Sequence, residues 1–133
     1  MQDYVTDTHS LIWYLLDDPR LGPVARGCFE ACDRGESIIY VPTICLVEII
    51  YLQEKGCIPA EMYRLLQAIV QSGLAGIFVT DLSASVVEML PNVPRNDVPD
   101  LPDRIIAATA LHLGLPLISR DRKIRLSAVD TIW

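Results

Sequence analysis

Four acidic residues stand where a carboxylate is either costly or conspicuous. Glu48 lies in ICLVEIIYL, a stretch apolar on nearly every side, and a helix apolar all round is a buried helix. An ionised carboxylate buried alone is strongly disfavoured, so Glu48 must be protonated, paired with an arginine, snorkelled to the surface or bound to a metal. Asp7 follows the run DYVT, Asp103 opens a helix after Pro102, and Asp121 precedes RKIRL. Each of these three could be no more than a helix N-cap. Capping explains any one of them, but not why all four fall where one sheet edge could gather them. Gathered carboxylates raise one another's pKa and repel unless a hard cation relieves them. Oxygen-only ligands suit Mg²⁺ or Mn²⁺, whereas zinc favours histidine and thiolate. One or two such ions could activate water for in-line attack on a phosphodiester, which is nuclease chemistry.

Around Asp121, four of the eleven basic residues, Arg120, Arg122, Lys123 and Arg125, fall within six positions. Such a rim can grip phosphate oxygens, arginine in bidentate fashion. The alternative is a solvated amphipathic turn with Ile124 and Leu126 inward. The rim matters because seventeen acids against eleven bases leave a net charge of −6, so nucleic acid must be held locally rather than by a global field. Ser119, two residues before Asp121, could bond to water at the same strand end. His9 and His112 are too far apart for a local ligand pair and receive no role. Trp13, Tyr14 and Tyr51 read as core or interface rather than base platforms. Cys28, Cys32, Cys45 and Cys57 form no C-x-x-C pair and read as buried thiols.

The elements that must carry these residues follow from apolar spacing and from proline and glycine punctuation. DYVT predicts a strand, THSLIWYLLDD a helix, and Pro23 starts a helix to about Arg34. SIIYV is a second strand. Pro42 opens a helix over TICLVEIIYLQEK, ending at Gly56, and Pro59 opens another over AEMYRLLQAIVQ, ending at Gly73. GIFVT is a third strand and SASVVEML a short helix, with Asp81 as its cap. Residues 91–102 hold four of the nine prolines and read as an irregular loop. DRIIAATALHLG is a helix, LPLIS a strand, DRKIRLS a helical turn and AVDTIW an edge strand.

Strands separated by helices mean right-handed crossovers: an α/β fold, a three-layer α/β/α sandwich with a mainly parallel sheet. Ligands of such sheets bind beyond the carboxyl ends of the strands, which selects Asp7, Asp81 and Asp121. With 133 residues and 51% apolar composition, the chain is expected to form one folded domain, residues 1–133. No apolar run approaches a bilayer span, and the opening MQDYVTD has acids where a secretory signal carries bases. A soluble cytoplasmic protein without membrane contact is expected, and its generous apolar fraction leaves room for an exposed face used in self-association.

DTHSLIWYL, VEI, PDLPDRIIAATA and LISRD, in this order over the whole chain, resemble PIN-domain ribonucleases, and among them the toxin half of VapBC-type toxin-antitoxin pairs. The resemblance implies a PIN fold, Mg²⁺ or Mn²⁺ dependence, endoribonuclease activity on RNA, a homodimer and an inhibitory antitoxin partner. Matched residue by residue, Asp7, Glu48, Asp103 and Asp121 correspond to the family's four acids and Asp100 to its outer aspartate. Thr8 and Ser119 correspond to supporting hydroxyls that would orient water, and Arg104 to the arginine after the third acid. The family often writes a histidine and a phenylalanine into this element; here it reads NDVPDLPDR, with no histidine and with leucine and proline between Asp100 and Asp103. Two other readings remain open: a catalytically silent PIN-like protein-binding module, and a phosphate-ester hydrolase or phospho-accepting receiver. A haloacid-type phosphatase would carry a second aspartate where this chain has His9.

Overall fold

The computed structural model describes residues 2–73 and 75–133. Strands β1 (Tyr4–Thr6), β2 (Ile39–Pro42), β3 (Ile77–Thr80), β4 (Leu117–Ile118) and β5 (Thr131–Ile132) form an all-parallel sheet in the order β3-β2-β1-β4-β5. Between them run helices α1 (Thr8–Leu15), α2 (Pro23–Asp33), α3 (Thr43–Glu54), α4 (Met62–Ser72), α5 (Ala84–Glu88), α6 (Leu101–Leu113) and α7 (Arg122–Arg125). This is the mixed α/β architecture that the alternating signals predict. Val5, Ile39, Val41, Leu117 and Ile118 are wholly buried, as expected of parallel strands covered on both faces.

The strand order decides where a site can form. The chain steps outward from β1 through β2 to β3, then returns past β1 to β4 and β5. Right-handed crossovers carry the helices between β1 and β3 over one face of the sheet and those between β3 and β5 over the other. The direction of winding therefore reverses between β1 and β4, and their carboxyl ends flank a topological switch point. Val5 pairs with Leu117 and Thr6 with Ile118, which brings Asp7 and Ser119 out at the same end of the sheet.

Several local expectations need correction. Helix α1 stops at Leu15, and Asp17 takes a left-handed conformation (φ 51°) that turns the chain back. Pro42 both closes β2 and stands as the N-cap of α3, which begins at Thr43 and ends at Glu54. Helix α6 starts at Leu101, so Pro102 lies inside its first turn, where a missing N–H costs nothing. Its N-cap is Asp100, not Asp103. Ser83 rather than Asp81 caps α5, and Leu126 is 81% exposed rather than inward. Cys28, Cys32 and Cys45 are buried, but Cys57 is exposed.

The largest difference concerns α3. Its even apolar composition predicts burial all round, yet only Cys45 and Ile49 are fully buried, and Val47 and Tyr51 are 60% and 54% exposed. The helix packs against α1, α4 and α6 and leaves one apolar face to solvent.

Candidate functional site

At the end of β1, the Asp7 N–H donates to the Ile118 carbonyl (3.1 Å), and Asp7 Oδ1 accepts from the Ser10 N–H (2.9 Å), capping α1. At the end of β4, the Ser119 N–H donates to the Ile132 carbonyl (3.1 Å), while Ser119 Oγ accepts from the Asp121 N–H (3.0 Å). Asp121 Oδ1 in turn accepts from the Lys123 and Ile124 N–H groups at 2.9 and 3.0 Å, capping α7. Asp100 Oδ1 accepts from the Asp103 N–H at 3.0 Å, which puts Asp103 on the first turn of α6. From α3, Glu48 Oε1 accepts from the Thr8 hydroxyl at 2.5 Å. The cap readings for Asp7 and Asp121 thus hold alongside their gathering and do not replace it.

Asp7, Glu48, Asp100, Asp103 and Asp121 line one cavity of about 420 Å³, whose wall is completed by His9, Trp13, Arg20 and Arg120. Burial raises the Asp7 carboxyl above the ordinary carboxylate range, against the hydrogen bonds of Ser10 and Ser119. Burial likewise raises Glu48, with Asp100 and Asp7 adding repulsion and Thr8 and His9 opposing it. Asp103 is pushed up to about 7, by burial first and then by Asp100, Asp121, Asp7 and Glu48. The fully buried Cys45 thiol, bonded to the Thr6 carbonyl at 3.9 Å, is raised as well. A raised thiol pKa makes it an inert neighbour rather than a nucleophile.

Among the described residues no ion pair joins these five acids to a basic side chain. Nor are three His, Cys, Asp or Glu side chains drawn into a ready-made coordination cage. The acids share a cavity rather than a contact. That suits a small hard cation such as Mg²⁺, which keeps several of its waters and takes one or two carboxylates directly instead of a closed protein cage. The donor set fits such an ion in chemistry and charge: five carboxylates, with three pKa values raised by crowding or burial.

The model of the PIN domain family matches residues 4–130 of this chain. The chain belongs to the PIN domain family. Among solved structures, this PIN domain is similar to VapBC2 from Rickettsia felis bound to a promoter DNA fragment (16% identity, 98% of each chain, TM-score 0.70). It is also similar to DNA-bound VapBC from Salmonella typhimurium (20% identity, 99% of this chain and 98% of that one, TM-score 0.69). A third likeness is to FitAcB from Neisseria gonorrhoeae (15% identity, 98% and 96% covered, TM-score 0.68). At such identities the likeness speaks for the fold. No curated protein matches the sequence.

Within this PIN domain the residues singled out from sequence divide cleanly. The five acids line the cavity, and so does Arg120, whereas Arg122, Lys123 and Arg125 do not. Those three extend from α7 into solvent, because only Arg120 precedes the turn that carries the chain away. Arg104 points elsewhere too: its Nε and Nη2 donate to the Val93 and Leu90 carbonyls at 2.7 and 3.0 Å. It ties the proline-rich segment to α6 and so helps hold Asp100 and Asp103 where they are. The Thr8 hydroxyl donates to Glu48 Oε1. Asp97 and Asp81 are exposed and lie off the cavity.

Sequence reasoning missed His9, Trp13 and Arg20. His9 has a local signal, since it follows Asp7 by two residues and Trp13 by minus four on the same helix, where i and i+4 share a face. Arg20 has none: it reaches the cavity because the Asp17 turn folds residues 16–22 back toward α1.

Proposed function

We propose that this PIN domain is a metal-dependent endoribonuclease acting as the toxin of a VapBC-type toxin-antitoxin pair. The observation that carries the reading is the convergence of Asp7, Glu48, Asp103 and Asp121, from four distant stretches, on one cavity at the switch point of the sheet. Asp7, Glu48, Asp103 and Asp121, with Asp100 beside them, are the residues that would hold Mg²⁺ or Mn²⁺. A divalent ion in such a site lowers the pKa of water and offsets charge developing on a phosphoryl oxygen.

The chain's own residues supply the rest. Thr8 fixes the Glu48 carboxylate by its 2.5 Å hydrogen bond, and Ser119 ties the Asp121 backbone to the end of β4. Asp103, pushed up to about 7 by burial and the neighbouring acids, would give up its proton on taking the ion. Arg120 at the cavity wall would meet the RNA backbone, while Arg122, Lys123 and Arg125 would act farther along the strand.

Two partners follow from the same reading. The similar structures are complexes of toxin with antitoxin, which supports a cognate antitoxin for this chain. The exposed apolar face of α3, with Val47, Ile50 and Tyr51, is one that a second copy would cover, giving a homodimer. Among the described residues no helix is long and apolar enough to cross a membrane.

The test is cleavage of a defined single-stranded RNA with Mg²⁺ or Mn²⁺ and with chelator. Asp7→Asn is expected to abolish metal-dependent cleavage while leaving the far-UV circular dichroism unchanged. Equal cleavage by that variant, or cleavage indifferent to chelator, overturns the reading.

A further inference from the structure

Besides the acids, the cavity is lined by Trp13, Arg20 and Arg120, which form a cluster of ring and guanidinium groups. The Arg120 guanidinium carbon lies 4.6 Å from the centre of the Trp13 ring system and that of Arg20 lies 4.9 Å from it. Trp133 closes the group, 5.9 Å from Trp13 in an edge-on arrangement and 6.0 Å from the Arg120 guanidinium. The cluster is tightly fitted: a Cβ on Gly22, just after Arg20 in the turn, would stand 2.6 Å from the Trp133 side chain. The residue type at position 22 is therefore dictated by the seat of Trp133.

The charges in this cluster are held in an unusual way. Arginines beside five carboxylates would ordinarily pair with them, yet no such pair forms among the described residues. Arg120 is held by indole rings, which orient a guanidinium without neutralising it. Arg20 is fixed by Asp18, outside the cavity, through Nε–Oδ1 and Nη2–Oδ2 contacts of 3.1 and 2.8 Å. That fork uses one edge of the guanidinium and leaves its remaining donors free. Trp13 is only 6% exposed, so it serves as a wall that seats the two guanidinium groups, not as a platform on which a base could stack.

Resting on the nuclease reading above, we infer that Arg20 and Arg120, both seated at the Trp13 ring, form a two-point clamp for phosphates of a single-stranded RNA. The clamp would hold the backbone at the cavity that the acids line. It answers a physical need, because RNA approaching a chain of net charge −6 and a site of five carboxylates meets repulsion unless fixed cations face it. Arg20 and Arg120 are positioning residues here, with Arg120 the stronger, since Asp18 offsets part of the Arg20 charge.

The experiment measures binding of a fluorescent single-stranded RNA oligonucleotide by anisotropy from 50 to 300 mM KCl with Mn²⁺ present. It uses the Asp7→Asn chain, and RNA cleavage by the otherwise native chain is measured in parallel. Arg120→Gln is expected to weaken binding several-fold and to lower the slope of log Kd against log salt by about 0.7, the value for one phosphate contact on a single strand, and Arg20→Gln to lower both by less. Arg64→Gln, on exposed α4, is expected to leave the slope unchanged, and Arg120→Lys to keep the slope while losing affinity. In steady-state cleavage Arg20→Gln and Arg120→Gln raise KM and leave kcat within about twofold. An unchanged slope in both glutamine variants, with RNA bound and cleaved by the parent, overturns the clamp and leaves the nuclease reading intact. The expected slope changes in a chain that cleaves no RNA uphold the clamp and overturn the nuclease reading. Absence of any RNA binding overturns both.

Discussion

Two sets of carboxylates in this chain live in opposite surroundings. On the surface, Asp18 pairs with Arg20, Asp17 with Arg26 and Glu36 with Arg34 at 2.8 to 3.0 Å. Asp18 is drawn down to about 2 by the Arg20 hydrogen bonds, and Glu36 is lowered by Arg34. In the cavity, Asp7, Glu48 and Asp103 meet burial and like charge instead, and all three are raised. Nine arginines were available to the chain, and it placed several on solvated acids where ion pairs contribute little. The cavity acids, which most need a counter-charge, have no ion-pair partner among the described residues. Such a concentration of uncompensated charge lowers stability locally and marks a site built for something other than folding.

The contrast can be broken most severely at its centre. Glu48→Gln removes one cavity charge and keeps the side chain's shape, and metal-dependent RNA cleavage is expected to fall by more than about a hundredfold, as single-turnover assays would register. Next comes proton competition. Because Asp103 holds its proton up to about 7, Mn²⁺ must displace it, and affinity by calorimetry is expected to drop about tenfold per pH unit below that point and to level off above it. A flat profile between pH 5.5 and 8 would show that Asp103 does not face the ion.

Stability supplies a smaller effect of definite sign. The folded chain keeps the Asp103 proton to higher pH than the unfolded chain does, so this stability is full in acid and lost as pH rises from about 4 to about 7. Asp103→Asn escapes the loss and is expected to raise the metal-free melting temperature at pH 8 by a few degrees, while leaving it unchanged near pH 4. On the paired surface the outcome should be near zero: Glu36→Gln is expected to shift the melting temperature by no more than about 1 °C. A larger shift there than at Asp103 would invert the comparison.

How far the sequence could be read depends on what each feature rests upon. Strands such as IIYV and helices bounded by Gly73 and Gly114, both left-handed here, declare themselves through apolar spacing and stop signals. Asp7 and Asp121 were recognisable because strand ends at a switch point are where parallel sheets place their ligands. Asp100 reads in sequence as part of the proline-rich loop, though Pro102 in the first turn and the spacing of Asp100 to Asp103 mark it as the cap of α6. Glu48 was found for a partly mistaken reason: its helix is not buried all round, and its half-buried carboxylate owes its setting to Thr8 and the cavity. The cationic side was least legible. Arg122, Lys123 and Arg125 are a run in sequence but diverge in space, whereas Arg20 and Arg120 lie a hundred residues apart and meet over one tryptophan. Composition counts charges, and only the path of the turn at Asp17 says which of them converge.

Three of the cavity acids, Asp7, Asp100 and Asp121, also tether the first turn of a helix. Asparagine terminates a helix about as well as aspartate, whereas alanine forfeits roughly 1 kcal/mol at such a position. Amide replacements therefore isolate the loss of charge, while an alanine scan of the same residues would fray α1, α6 and α7 and mistake unravelling for chemistry.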